Sequence, residues 1–503
     1  MAIVKTSRKL HKWLMLIVGI QMIIWAATGT YMVIMNIDYI HGDSLVVSKS
    51  HLINPDQIQF SLAQLQQKFP QAERISLTTQ TNQALQVQQV YQFKNGDNWQ
   101  LVSTINGELL ADITKEQAQT LALNRYSGKG DIISTELLSK SSNETNGEVS
   151  PRILPAWKIS FDDFASPRLY ISAKTGELVT KRHDFWVLFD WFFRFHIMDY
   201  GDEEDAGNLL LMTIALISLL ASTTGVVLTY VSFVKVRGKS IQTPKHKSAQ
   251  RFMPWIRFLH RWLSLLVFIQ LLLWLSTGLY FNLMDHKKAS GNQYRQSISQ
   301  TTKQFDFSTL KPLNQVLAQL KQEDKVEQVE KIELISRLNK PYYLLTLQQG
   351  LYAHFPRSQQ LVSAESGAII HPDNKLVEQL AQRSYSGKSK VSFSSKLSPP
   401  IIELPKQQNP LWKINFNDDL NTSVYIDSQN ASIIAHVDDD KRLADLMFTL
   451  HFMDYSIFND LTGSKTGGFN NMLIIFFALL TLLFALTGVY WLAHLLKHKQ
   501  FRW

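Results

Sequence analysis

The chain has 503 residues, a formal net charge of +9, fourteen histidines and no cysteine. The missing thiols exclude disulfides, thiolate metal sites, iron–sulfur clusters and covalently attached c-type haem, so a redox cofactor needs other ligands, histidine first among them. Mean hydropathy is near neutral, yet the average hides four charge-free runs, 13–37, 206–234, 262–284 and 466–496, each long enough to cross roughly 30 Å of hydrocarbon as a helix.

In chain order, residues 1–37 hold a basic start (Lys5, Arg8, Lys9, Lys12) and the first predicted spanning helix. The run is longer than a signal core and lacks a small-x-small cleavage site, and a near copy recurs in mid-chain, so it reads as a retained helix. Residues 38–184 predict an α+β domain. An amphipathic helix over 56–69 (Ile58, Leu62, Leu65, Phe69) precedes alternating stretches around 73–79, 85–93 and 98–104 and a turn at Asn106-Gly107. A helix near 115–125 leads to Tyr126-Ser127-Gly128-Lys129, polar 136–150 reads as an exposed loop, and strands bracket Trp157 and Tyr170 before a turn at Thr175-Gly176.

Residues 185–234 predict an aromatic interfacial helix (Phe185, Trp186, Phe189, Trp191, Phe192, Phe193, Phe195) and the second spanning helix. A basic loop follows at 235–261 (Lys235, Arg237, Lys239, Lys245, Lys247, Arg251, Arg257, Arg261), then the third spanning helix at 262–284. A second α+β domain at 285–440 repeats the first in outline, with Ser366-Gly367 and Tyr385-Ser386-Gly387-Lys388. An interfacial segment (Leu443, Leu446, Met447, Phe448) and the fourth spanning helix occupy 441–496, and 497–503 form a tail with Lys497, Lys499 and Arg502. The excess of lysine and arginine places the start, the loop and the tail in the cytoplasm and both large domains outside, in the periplasm of a cell with two membranes. The positive charge therefore reports topology and does not imply a nucleic-acid partner.

The chain repeats itself. His11-Lys12-Trp13-Leu14 aligns with His260-Arg261-Trp262-Leu263 at an offset of 249, which also pairs Gln21 with Gln270, Trp25 with Trp274, Thr28-Gly29 with Thr277-Gly278 and Tyr31 with Tyr280. His196-Ile197-Met198-Asp199-Tyr200 matches His451-Phe452-Met453-Asp454-Tyr455 at 255, as does Trp157-Lys158-Ile159 with Trp412-Lys413-Ile414. Thr224-Gly225 pairs with Thr487-Gly488. Two copies of helix, outer domain, helix imply a pseudo-two-fold axis along the membrane normal.

The repeat sorts the histidines. His11 with His260 and His196 with His451 occupy equivalent positions, whereas the other ten, including His41, His246, His286 and His494, have no histidine counterpart. A lone histidine at a helix end reads as an interfacial anchor. Two symmetric pairs at membrane depth read as ligands, because ionisable groups there are costly and a neutral imidazole is a good axial ligand for haem iron. The expectation is two bis-histidine haem b groups, one near each face. Gly29 follows His11 by 18 residues, five turns and about 27 Å, so glycines near each pair are expected either to admit a porphyrin ring or to serve close helix packing.

These residues resemble the PepSY-associated transmembrane family: the histidine–basic–tryptophan starts, the Thr-Gly pairs, the histidine segment before each second helix, and the Trp-Lys-Ile strands with Gly turns. The resemblance implies a four-helix membrane bundle with two PepSY-like outer domains. It also implies an inner-membrane ferric-siderophore reductase, with His11, His260, His196 and His451 at the haem-ligand positions. Electrons would enter at the His11–His260 haem, pass to the His196–His451 haem and reduce Fe(III) in a chelate outside. Trp157, Lys158, Trp412, Lys413, Lys129 and Lys388 are candidates to line an acceptor cleft. No dinucleotide fingerprint or flavodoxin-like segment is present, so the donor is a quinol, a reduced flavin or a separate reductase. A non-enzymatic PepSY scaffold that binds peptide or regulates a protease is the alternative; no His-Glu-x-x-His motif is present.

Overall fold

The structure is a computed structural model that describes residues 2–47, 51–81, 86–139, 148–200, 207–236, 252–298, 301–326, 328–457, 468 and 470–498. In chain order the helices are α1 (Ala2–Ile34), α2 (Leu62–Lys68), α3 (Lys115–Arg125), α4 (Asp184–Ile197), α5 (Leu209–Val236), α6 (Phe252–Leu283), α7 (Leu313–Gln322), α8 (Asn374–Ser384), α9 (Asp439–Phe452) and α10 (Met472–Lys497). Strands β1 (Ala72–Thr81), β2 (Val87–Asn95), β3 (Asn98–Ser103), β4 (Ile132–Leu138), β5 (Ala156–Phe161), β6 (Arg168–Ser172) and β7 (Leu178–Arg182) lie between α1 and α4. Between α6 and α9 run β8 (Lys331–Arg337), β9 (Lys340–Gln348), β10 (Ser358–Ser363), β11 (Ile369–Ile370), β12 (Val391–Leu397), β13 (Leu411–Phe416), β14 (Ser423–Asp427) and β15 (Ile433–Val437). The chain divides into two compact units, Met1–Ile40 with Trp186–Ala289 and Leu443–Trp503, and His41–Phe185 with Ser290–Arg442.

In the first unit, α1, α5, α6 and α10 are long and apolar enough to cross a membrane. A helix satisfies every backbone polar group within itself, which hydrocarbon demands. Helices α1 and α6 each touch α5 and α10, so the four close into a ring. Val18, Met22, Ala221, Leu271 and Leu275 fill one level of its core, and Val33, Met453, Ile474 and Ala478 fill another. The helices outrun their apolar cores. Lys5, Arg8, Lys9 and Lys12 lie on the first turns of α1, and α6 begins at Phe252 where a loop to residue 261 was expected. Pro254 sits in the first turn of α6, where a missing N–H breaks no ladder bond. Of the expected cytoplasmic basic residues, Arg237, Lys239, Lys245, Lys247, Arg251, Lys499 and Arg502 lie outside the described residues, as does His246.

Among its described residues the second unit holds three antiparallel sheets. The largest has the order β11-β10-β9-β8-β1-β2-β3. Its centre is the pairing of β1 with β8, Ser76 opposite Glu333 and Leu77 opposite Ile332. The two expected α+β domains therefore share one continuous sheet. Helices α2 and α7 bury Leu62, Leu65, Leu313, Val316, Leu317 and Leu320 against it, each such side chain contributing about 2 kcal/mol. The other sheets run β4-β5-β6-β7 and β12-β13-β14-β15, covered by α3 (Ala118, Leu121, Ala122) and α8 (Val377, Leu380, Ala381).

Two local expectations change. The helix expected over 56–69 is a 3-10 turn at Pro55–Gln57 and then α2, because Ser61 and Gln64 form a capping box that starts the helix afresh. Within the expected loop 136–150, residues 136–138 belong to β4, while 140–147 lie outside the described residues.

Candidate functional site

All four singled-out histidines meet a threonine on a spanning helix. His11 of α1 faces α5: its Nδ1 is 2.9 Å from the Ala221 carbonyl oxygen and 3.4 Å from Thr224 Oγ1. A carbonyl only accepts, so Nδ1 carries the proton. His260 of α6 faces α10, with Nδ1 3.0 Å from Thr487 Oγ1. That hydroxyl donates its own proton to Phe484 O at 2.7 Å, so it accepts from Nδ1–H. His196 of α4 faces α1, with Nδ1 3.0 Å from Thr28 Oγ1, whose proton goes to Ile24 O at 2.7 Å. His451 of α9 faces α6 in the same way, 2.8 Å from Thr277 Oγ1, whose proton goes to Leu273 O at 2.7 Å.

The consequence is one tautomer at four places. Nδ1 donates, and Nε2 is left with its lone pair; among the described residues no Nε2 of the four has a hydrogen-bond partner. A second bond fixes the backbone of the α4 and α9 histidines. Trp25 Nε1 donates to His196 O at 2.7 Å and Trp274 Nε1 to His451 O at 2.6 Å.

The rings also act on one another in two sets. His11 and His260 lie within electrostatic reach of each other, and so do His196 and His451. Along α1, His11 and the His196-binding Thr28 are 17 residues apart, which separates the two levels by about 25 Å.

The glycines next to the threonines serve the imidazoles. A Cβ on Gly225 would stand 3.0 Å from His11 Cε1, one on Gly488 3.0 Å from His260 Cε1, and one on Gly29 3.3 Å from His196 Cε1. Each of these glycines leaves room for the edge of a histidine ring, which comes close to reach the threonine one residue earlier. Gly278 differs, since a Cβ there would meet nothing within 4 Å.

The His-x-Met-Asp-Tyr segments end α4 and α9 directly after the histidine turn. Met198 (φ 54°) and Met453 (φ 51°) take the left-handed conformation that closes a helix. Asp199 N then bonds Arg194 O and Asp454 N bonds Thr449 O, both at 3.0 Å. Asn208 and Asn471 tie the returning chain down, their Nδ2 atoms donating to Ile197 O and Phe452 O at 3.0 Å. Of the aromatics before His196, Phe192 meets Tyr31 edge-on at 4.8 Å, while Trp191 and Phe193 are exposed.

The six candidate acceptor-binding residues of the sheet unit have structural partners or lie on the surface. Trp157 Nε1 donates to Ile113 O at 2.8 Å, and Trp157 and Trp412 pack in the cores beneath α3 and α8. Lys158 stands 3.9 Å from Glu148 and Lys413 2.7 Å from Glu403. Arg442 Nε joins Glu403 at 2.6 Å, and the Tyr425 hydroxyl donates to it as well. Burial alone raises that carboxyl, but the bonds from Lys413, Tyr425 and Arg442 outweigh it and hold Glu403 at about 2. In the Tyr-Ser-Gly-Lys segments the tyrosine ring lies where a Cβ on Gly128 or Gly387 would stand. Tyr126 donates to Asp163 at 3.0 Å and Tyr385 to Asp418 at 2.8 Å, and Lys129 and Lys388 remain exposed.

Among the described residues no three histidines or carboxylates gather as a metal cluster. What the bundle offers is two pairs of imidazole nitrogens, which fits an iron whose remaining four ligands come from a porphyrin. No curated protein matches the chain. The family model of the PepSY-associated TM region matches residues 8–494, from the turn before His11 to the end of α10, and the chain belongs to this family of membrane proteins.

Proposed function

We propose that this chain is a di-haem b electron carrier of the bacterial inner membrane that reduces Fe(III) in a periplasmic ferric siderophore. In this reading both termini are cytoplasmic, the sheet unit is periplasmic, and two tandem copies are related by a pseudo-two-fold axis. One electron lost by a quinol, a reduced flavin or a partner reductase reduces one Fe(III) to Fe(II), which a chelate built for the ferric ion holds less tightly. The observation that supports this reading most is the shared tautomer, with Nδ1–H donated and, among the described residues, Nε2 without a hydrogen-bond partner at His11, His196, His260 and His451. Metal-ligating histidines donate the other ring N–H to a second group, which fixes the ring and raises its basicity.

A porphyrin iron between two imidazoles supplies one-electron Fe(III)/Fe(II) chemistry. The chain's own part is to present the nitrogens and keep water out. Thr28, Thr277 and Thr487, with the Ala221 carbonyl, orient the four rings. Trp25 and Trp274 hold the two histidine-bearing helix ends against α1 and α6. Val18, Met22, Ala221, Leu271 and Leu275 form a dry layer between the levels, where a low dielectric lets ligand charge and hydrogen bonding set the potential.

The test uses full-length protein in sealed vesicles, with dithionite trapped inside and a ferric hydroxamate with an Fe(II) indicator outside. External Fe(II) should form far faster than in protein-free vesicles, and His11→Ala and His196→Ala should each return the rate to the protein-free level. Wild-type vesicles no faster than empty ones would refute the reading.

A further inference from the structure

We infer that Arg8 and Arg257 bind the two carboxylate tails of the porphyrin held between His11 and His260. The inference rests on the haem reading above and names residues that complete one of its two sites. Arg8 stands three residues before His11 and Arg257 three before His260, both related by the 249 offset. That spacing puts each guanidinium on the same helix face as its histidine, one turn nearer the helix start. On that turn the two guanidinium groups would be the partners for the carboxylate tails of a porphyrin bound at Nε2.

Nothing in the spanning helices answers these charges. Helices α1, α5, α6 and α10 contain no Asp or Glu, and among the described residues neither arginine forms an ion pair. A contact chain leads from Arg257 to the ligand ring. Its guanidinium lies over Trp491, 5.4 Å from the ring centroid, and Trp491 meets His260 edge-on at 5.8 Å. Stacking on an aromatic face leaves the N–H fork free for a bidentate carboxylate. Trp491 Nε1 is itself buried without a hydrogen-bond partner among the described residues, a second donor at the same place. The neighbouring Arg261 does not compete, because its guanidinium lies over Phe233 at 5.8 Å. The ligand chemistry is an oxyanion, and lipid phosphate is the other source of one at a helix end.

The experiment separates the sources. Haem-free full-length protein in zwitterionic nanodiscs is titrated with haem and with haem dimethyl ester, whose tails carry no charge. Wild type should prefer the free acid, and R8Q and R257Q should each weaken haem binding at one of the two sites roughly tenfold while narrowing that preference. R257K should recover part of the loss. The second site should keep its haem in every variant, which shows that the chain is folded. Equal binding of acid and ester by wild type would overturn the inference and leave the histidine reading intact. Loss of the preference when anionic lipid is added would assign the arginines to lipid phosphate and also overturn it. Wild type that binds neither compound would sink both.

Discussion

Gly225 and Gly278 each follow a histidine-binding threonine on a spanning helix, yet the two positions do different work. At Gly225 and Gly488 an added methyl would stand 3.0 Å from the histidine Cε1, so the ring must give by a few tenths of an ångström and lose its threonine or carbonyl bond. Gly225→Ala and Gly488→Ala should therefore weaken haem binding by about tenfold or more, the usual cost of disturbing a ligand's hydrogen-bonded support. Gly278→Ala should leave it unchanged, since nothing lies within 4 Å. Haem titration of the three variants checks both halves; equal losses would show that the glycines serve helix packing alone. The sequence repeats each Thr-Gly pair as plainly as it repeats the histidines, so the positions were legible. Their role was not, because a threonine and a histidine 168 residues apart share no local periodicity. The close approach of the imidazole edge to the glycine exists only in the fold.

At the scale of elements, charge-free runs located the four spanning helices found among the described residues, and the helices continue beyond those runs. Hydropathy marks the part that fits hydrocarbon, whereas α1 and α6 continue as helices through Lys5–Lys12 and Phe252–Arg261. Alternation located β1, β2 and β3, yet not the pairing of β1 with β8; period-2 patterning says which face is buried, not which distant strand lies alongside. Glu403 shows what such long-range placement contributes. Its ordinary value is 4.5 and the folded protein holds it at about 2, so its carboxylate stays ionised on folding while the unfolded chain takes up a proton. The stabilisation is complete above about pH 4.5, declines as pH falls, and is gone below about 2; it is on the order of 3 kcal/mol at neutral pH. Glu403→Gln should lower the melting temperature at pH 7 and flatten its pH dependence between those limits. An unchanged acid limb would show that Lys413 and Arg442 are not its partners in solution.

For the whole molecule, four histidines share one arrangement: Nδ1–H anchored on a spanning helix, by a threonine at three of them and by the Ala221 carbonyl at His11, with Nε2 unpartnered among the described residues. The repeat selected four of fourteen histidines from sequence, and the structure adds the threonines, carbonyl and tryptophans that hold them. The electron donor and the acceptor site are not legible in the sequence, because Trp157, Trp412, Lys158 and Lys413 also serve cores and ion pairs and the exposed Lys129 and Lys388 carry no local pattern that marks a ligand. The most direct measurement is haem per chain in the purified full-length protein, read from the reduced-minus-oxidised b-type absorption. The account predicts two haems in wild type, one each in His11→Ala and His196→Ala, and none when both are replaced. A colourless wild type, or single variants that keep both haems, would contradict it.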